Sequence, residues 1–470
     1  MPTPSDTGRT PESVHAPVPA HAPAPAHVPA PAHVPAPAHV PVPAHVPVSA
    51  RTPAYDRILA AAVPHGGDLH DAIRRFGLPR ERWLDLSTGI NPLPYPVTMP
   101  PPDVWQRLPD DDDGLAALAA RHFGTASALP LAGSQAAIRA LPFLLPPGRV
   151  AIADLTYGEY APAFARAGHA VRRFHYRAAR APGRDAAHDA GHAAGLDVLA
   201  GVPAGAPPDL SSDASANAGS APVALPGAPA PAPVAPAPFL LDGDDPATLP
   251  ADIDYLVVVN PNNPTTHLIP PATLLSWRAA LAARGGLLIV DEAFIDATPA
   301  ASVASAVGEP GLLVLRSVGK FFGLAGIRAG FALGPRALLD PLRLELGAWS
   351  VNGPARHAVR EALLDCAWQM QTTRRLDRDG QALRQLLARH GLRARATALF
   401  AWTPHPDAAG LHARLAAQGI WTRLFDAPAA SAGGLPSLRI GLPADAVAMA
   451  RLDQALHAAA GIRGHERRRR

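Results

Sequence analysis

Two hydrophobic patterns alternate through the middle of the chain. Short runs that are apolar at nearly every position occur at Arg149 to Asp154, Ala170 to Phe174, Tyr255 to Asn260, Gly286 to Asp291 and Leu312 to Arg316. Between them, near Tyr160 to Ala167 and over Pro271 to Arg284, the apolar residues return at helical spacing. Runs without a polar face predict strands buried on both sides, and the helices between them supply the cover, so the pattern predicts a mainly parallel sheet. After Gly334 the pattern turns helical through Gly391. It then predicts strands near Leu399 to Thr403, Ile420 to Arg423 and Leu438 to Ile440 with helices between, a second and smaller α+β unit. The expected class is therefore α/β: a large sheet sandwiched by helices, with a small α+β domain attached.

Two segments fit neither pattern. Residues 1–52 are rich in Pro and Ala, and His15, His21, His27, His33, His39 and His45 recur every six residues. Proline at this density favours polyproline II, which rises about 3.1 Å per residue with three residues per turn. Histidines six apart then share a face but lie roughly 19 Å from each other, so one segment cannot place two on one metal ion. Residues 178–238 are Ala, Pro, Gly, Ser and Asp, too poor in apolar surface to offset chain entropy. They read as an insertion looping out between two strands, as the first segment reads as a disordered tail. The expected organisation is a tail over 1–52, a segment over 53–105 packing with the small domain, a large domain over 106–335 carrying the insertion, and a small domain over 336–470.

With 470 residues the chain can bury a large core. A formal charge of +3, with no basic stripe interleaved with aromatics, does not suggest a nucleic-acid partner. Cys366 is the sole cysteine, which rules out an intrachain disulfide or a thiolate zinc cluster and fits a reducing compartment. No secretory signal and no membrane span are visible, and no metal site is expected. These features lead to the expectation of a soluble, cytoplasmic protein.

The chemistry concentrates at strand ends, where parallel sheets place their ligands. Asn260-Pro261-Asn262-Asn263-Pro264-Thr265 follows one strand, Asp291 ends the next, and Ser317 and Lys320 follow the third. Lys320 is the only lysine in a chain whose other strong bases are all arginine. An amine can shed its proton and join a carbonyl, which a guanidinium cannot. A carboxylate to pair with a ring nitrogen, an amide for a ring hydroxyl and a lysine for an aldehyde are the set a pyridine-aldehyde cofactor needs.

These residues resemble fold-type I pyridoxal-phosphate enzymes of the class I/II aminotransferase superfamily, over roughly residues 60 to 460 without the insertion. The resemblance implies pyridoxal 5'-phosphate as cofactor and a large sheet of the seven-stranded type. It assigns Lys320 to the cofactor aldehyde, Asp291 to the ring nitrogen, Asn263 to the ring hydroxyl and Tyr157 to stacking on the ring. Gly133, Ser134 and Gln135 match the turn that cradles the cofactor phosphate at a helix N-terminus. Ser317 and Arg328 match two further phosphate ligands, and Arg439 matches the arginine that clamps a substrate carboxylate.

Two departures set the chain apart from ordinary aminotransferases. Phe294 stands where the pattern Asp-x-x-Tyr has its tyrosine, and Leu108-Pro109-Asp110 replaces the Tyr-Pro-Asp often contributed by a neighbouring subunit. His65-Gly66-Gly67-Asp68-Leu69 and Trp83-Leu84-Asp85-Leu86-Ser87-Thr88-Gly89-Ile90-Asn91-Pro92 closely resemble the threonine-phosphate decarboxylases of cobalamin biosynthesis. This resemblance implies decarboxylation of L-threonine O-3-phosphate, with His65, Gly66, Gly89, Asn263, Arg423 and Arg439 at the substrate. Which arginine takes phosphate and which carboxylate stays open. Histidinol-phosphate aminotransferase is the alternative reading. A homodimer is expected by the same analogy.

Overall fold

The computed structural model describes residues 66–177, 238–242 and 245–467. The tail, almost all of the insertion and His65 lie outside the described residues.

The chain enters through α1 (Leu69–Phe76), whose first turn is capped by the Asp68 carboxylate accepting from the Asp71 amide. β1 (Leu84–Asp85) and a short α2 (Asp103–Gln106) lead to α3 (Leu115–Phe123), β2 (Ala128–Leu131), α4 (Ser134–Leu144), β3 (Arg149–Ala153), α5 (Tyr160–Arg166) and β4 (Ala170–Arg177). β5 (Phe239–Asp242), β6 (Tyr255–Val259), α6 (Pro271–Ala282), β7 (Leu287–Asp291), β8 (Leu312–Ser317) and β9 (Gly330–Leu333) complete the large unit. The helices α7 (Arg336–Leu346), α8 (Gly353–Leu364) and α9 (Cys366–Arg389) follow. The small unit then adds β10 (Arg395–Ala396), β11 (Phe400–Pro404), α10 (Ala408–Ala416), β12 (Ile420–Trp421), β13 (Arg423–Ala429), β14 (Leu435–Gly441) and α11 (Ala446–Arg467).

The large sheet has eight strands in the order β2-β9-β8-β7-β6-β3-β4-β5. β9 pairs antiparallel with both neighbours, and every other pairing is parallel. One strand beyond the seven-stranded type comes from Phe239–Asp242, which follows the insertion and adds in parallel to the edge at β4. The sequence pattern ends the low-complexity stretch at residue 238 but assigns no strand to the four residues that follow. β2 and β9 also escaped that reading, because each has only four residues.

Alternate residues of each central strand enter opposite cores, as a two-residue period requires. Leu256, Val258, Leu288, Val290, Leu312 and Val314 pack in one cluster, while Val257, Val259, Ile289, Leu313 and Leu315 pack in the other. Asp291 and Ser317 continue the second face, and Arg316 emerges on the first. The small sheet, β10-β11-β14-β13, is antiparallel throughout. The sequence reading placed one strand at Ile420 to Arg423. The chain instead turns at Thr422, giving β12 to a different partner from β13.

That partner is β1, which pairs in parallel with β12 and so ties the N-terminal segment to the small unit. Glycine is needed at this junction, because a Cβ at Gly419 (φ +76°) would lie 2.2 Å from the Arg82 carbonyl oxygen. Phe76, Trp83 and Trp421 close it with three edge-to-face contacts of 5.9–6.2 Å between ring centres. Trp421→Ala removes the ring common to two of them. Truncating a buried tryptophan costs about 3–5 kcal/mol. The expected result is a lower urea midpoint, with faster proteolysis near residues 66–86. An unchanged midpoint would show that this cluster does not hold the N-terminal segment.

Candidate active site

Seven parallel-running strands share one carboxyl edge, and the candidate residues leave the sheet there. Gly133 and Ser134 follow β2, Tyr157 follows β3, Asn263 follows β6, Asp291 ends β7, Ser317 ends β8 and Lys320 follows it. Gly133, Ser134, Gln135, Tyr157, Asn263, Asp291, Ser317, Lys320 and Arg328 line one cleft, together with Phe294.

Gly133 precedes α4 with φ +75°, a conformation that favours glycine. The first amides of a helix have no partner within it, so this turn offers N–H donors and the positive end of the helix dipole to an anion. Arg328 reaches the same turn. A Cβ on Gly133 would approach its Nη2 to 2.9 Å, and Arg328 itself holds a left-handed φ of 56°. At Gly330 a Cβ would come within 2.8 Å of the Ser134 nitrogen, so strand β9 also needs a glycine to let this turn sit close.

Asp291 is 3 % exposed. Its Oδ2 accepts from the Tyr160 hydroxyl at 2.7 Å and its Oδ1 from the Ala293 amide at 3.0 Å. Burial raises its pKa, while Tyr160, the Ala293 amide and the Lys320 charge oppose the rise. Lys320 moves the other way. Burial, then the nearby Arg439 guanidinium, lowers its amine to about 8, partly countered by Asp291. Phe294 puts a ring 5.6 Å from the amine instead of a hydroxyl. Tyr157 donates to Gln135 Oε1 at 2.9 Å, and burial followed by the charges of Glu159 and Asp291 pushes its phenol up to about 12.

Arg439 lies opposite Arg423 in the β13–β14 ladder, so both side chains leave the same face of the small sheet. Arg439 is buried, donates to Asn263 Oδ1 at 2.5 Å and to the Ser87 carbonyl, and has no carboxylate partner among the described residues. Burial and then Arg423 lower its pKa to about 10. The Asp85 charge opposes this shift without forming an ion pair with Arg439 among the described residues, so this buried guanidinium beside a second cation suits an anionic ligand. Gly66 reaches this group: a Cβ there would lie 2.3 Å from Ser87 O and 3.2 Å from Arg439 Nη2. At Gly89 a Cβ would meet the rings of Phe400 at 2.8 Å and Phe294 at 3.0 Å.

Three lysine-distant groups that the sequence reading did not select also take part. Tyr160 holds Asp291, and its signal was a second tyrosine one helical turn after Tyr157. Glu159 accepts from Gln135 at 2.8 Å and Arg139 at 3.2 Å. Phe400 stacks edge-on to Phe294 at 5.1 Å and lies 5.5 Å from the Arg439 guanidinium. A second, more open cavity between the end of α3 and the start of α9 gathers Arg121, Arg316, Phe322 and Cys366, away from all of these groups. Among the described residues no cluster could hold a metal ion, and no helix is long and apolar enough to cross a membrane.

The cleft fits pyridoxal phosphate: a glycine-built anion cradle with Arg328 at one end, a buried carboxylate at the other, and a partly deprotonated amine beside an aromatic ring. The sequence profile of aminotransferase class I and II matches residues 244–458. Threonine-phosphate decarboxylase from Pseudomonas aeruginosa is 44 % identical over 395 residues, which cover 84 % of this chain and 97 % of that protein. The enzyme of that name from a Sinorhizobium species is 36 % identical, covering 85 % and 98 %. Among solved structures, the histidinol-phosphate aminotransferase from Clostridium acetobutylicum superposes with a TM-score of 0.59 at 16 % identity, covering 80 % and 98 %, a likeness of fold.

The amine gives a measurable consequence without cofactor. Its folded pKa of about 8 lies below the ordinary 10.5, so between these values the unfolded chain binds the extra proton and stability rises with pH. Below about 8 the whole penalty is present, on the order of 3 kcal/mol. Lys320→Met should therefore raise the stability of the cofactor-free protein at pH 7, with the gain shrinking toward pH 10. Urea denaturation at both pH values measures this, and parallel pH profiles for the two proteins would contradict it.

Proposed function

The chain belongs to the threonine-phosphate decarboxylase family within aminotransferase class I and II, and we propose that it decarboxylates L-threonine O-3-phosphate to (R)-1-aminopropan-2-yl phosphate, a step serving cobalamin biosynthesis. The observation that carries this reading is the pair of arginines facing one another on β13 and β14, of which Arg439 lies close enough to Lys320 to lower its amine. A substrate with one carboxylate and one dianionic phosphate needs two such cations, and planar guanidinium groups bind both by paired hydrogen bonds.

Bound pyridoxal phosphate supplies an electron sink for the pair left at Cα when carbon dioxide departs. The residues around it select which bond breaks. Arg423 and Arg439 would hold the two anionic ends, so the grip on the non-reacting phosphate would orient the carboxylate for cleavage of its bond to Cα. Asp291 would pair with the ring nitrogen. Lys320, whose amine is lowered to about 8, would return a proton to Cα in place of the lost carboxylate. Asn263, whose carbonyl accepts from Arg439, would donate to the ring oxygen. Tyr157 would pack against the cofactor, and Gly133, Ser134, Gln135, Ser317 and Arg328 would hold its phosphate. Gly66 and Gly89 give the substrate room, with His65 beside Gly66 in the sequence.

A homodimer is part of this proposal. Trp105 is 61 % exposed and Trp349 55 %, with Met99, Leu108 and Leu344 also exposed. Their segments meet: the Trp349 amide donates to Asp111 at 3.1 Å, and Gly353 packs against Val104. Such an apolar surface suits a second copy of the chain. The single cysteine suits a reducing cytoplasm.

The pyridoxal-phosphate-loaded protein should release carbon dioxide from threonine phosphate. Formation of glutamate from histidinol phosphate and 2-oxoglutarate, without carbon dioxide release, would instead assign it to the aminotransferases. Arg439→Ala should lower kcat/KM for threonine phosphate by about 10- to 10²-fold, mainly through KM, since a hydrogen bond to a charged group is lost. Unchanged kinetics would remove Arg439 from the substrate site. Separately, Trp105→Glu with Trp349→Glu should shift the sedimentation coefficient from dimer toward monomer; a wild-type monomer would refute the dimer.

A further inference from the structure

The helix that begins at Tyr160 carries a group that the family-based assignments leave aside. Tyr160 is 1 % exposed, and it sits in the apolar cluster of Ile152, Phe164, Val257 and Ile289. Its hydroxyl donates to Asp291 Oδ2 at 2.7 Å. The Ala293 amide occupies the other oxygen at 3.0 Å. Two of roughly four lone-pair sites on the carboxylate are thus taken, and Asp291 also lines the cleft.

We propose that Tyr160 is a positioning residue for the cofactor ring nitrogen, acting through Asp291 by holding its carboxylate oriented and ionised. The argument is one of supply and demand for protons. A carboxylate buried in an apolar core tends to take up a proton and become neutral. A neutral carboxyl can no longer stabilise a positive charge on a ring nitrogen. Asp291 is 3 % exposed, so the donors that oppose this come mainly from the protein. The Ala293 amide is fixed by the backbone, and Lys320 is committed to the cofactor aldehyde. Among the described residues, Tyr160 is then the side chain that supplies Asp291 with a neutral donor. Burial and the adjacent carboxylate keep its phenol protonated, so in its bond to Asp291 it is the donor. The same turn fixes the stacking ring, because Tyr157 donates to Gln135 and Gln135 donates to Glu159. The segment 157–160 that leads into this helix would thus orient both the face and the nitrogen of the pyridine.

This rests on the assignment of pyridoxal phosphate to the cleft. The test is equilibrium affinity, read by absorbance, in the full chain stripped of cofactor. Two ligands are titrated: pyridoxal phosphate, and its analogue with carbon in place of the ring nitrogen. Tyr160→Phe keeps the buried ring and removes only the donor. It should weaken pyridoxal phosphate about ten- to hundredfold and leave the analogue unchanged. Asp291→Asn should show the same ligand dependence, and adding Tyr160→Phe to it should cost little more, because the two act as one unit. With threonine phosphate, Tyr160→Phe should lower kcat more than it raises KM. Equal losses for both ligands would reduce Tyr160 to a packing residue and overturn the inference, as would no loss for either. A wild-type chain that fails to bind pyridoxal phosphate would overturn the cofactor assignment itself.

Discussion

The arrangement depends on one buried pair of opposite tendencies, the Lys320 amine and the Asp291 carboxylate. Taken out of water, each is pushed toward its neutral form, the amine down and the acid up. Each charge also opposes the other's neutralisation. The surroundings decide the balance differently on the two sides. Asp291 receives two hydrogen-bond donors, which favour the anion. Lys320 faces Phe294 and lies within the field of Arg439 and Arg328, which favours the free amine. A lowered amine and a doubly hydrogen-bonded carboxylate therefore stand in one cleft.

Holding that pair requires strand ends that do not shift. On the opposite face of the sheet, Glu292 and Arg316 directly follow Asp291 and directly precede Ser317. Arg316 donates to Glu292 at 2.8 Å, reaches Asp296 and Ser302, and lies 4.4 Å from the centre of the Phe123 ring. A buried ion pair contributes little net stability over an apolar substitute, but it fixes one geometry among several. Here it ties β7 to β8 immediately behind the residues that face the cleft.

Much of this was written openly in the sequence. The uninterrupted apolar runs gave β3, β6, β7 and β8, because strands buried on both faces admit few polar residues. The solitary Lys320 and the residues after those runs then marked the cleft. Four-residue strands such as β2 and β9 carry too short a pattern to separate from loops. β5 was hidden because only its neighbour β4, beyond the insertion, gives it a partner. Tyr160 was hidden for another reason: a tyrosine on the apolar face of a helix looks the same whether its hydroxyl meets a carboxylate or a carbonyl. Only the distance to Asp291 separates the two.

The exchange of tyrosine for Phe294 changes more than one hydrogen bond. With no hydroxyl there, Asn263 is the ring oxygen's protein donor in the proposed site, and its carbonyl is already held by Arg439. The amide therefore links the anion-binding end of the cleft to the cofactor ring. The phenyl ring in turn packs edge-on against Phe400, which supports the Arg439 guanidinium from below. A side chain at Gly89 would collide with both rings. Gly89, Phe294, Phe400 and Arg439 thus form one packed set, and a hydroxyl restored at position 294 would bring a polar group into a space that these rings fill. The phenylalanine belongs to the packed set that carries Arg439, and burial, with Arg439 beside it, lowers the amine of Lys320.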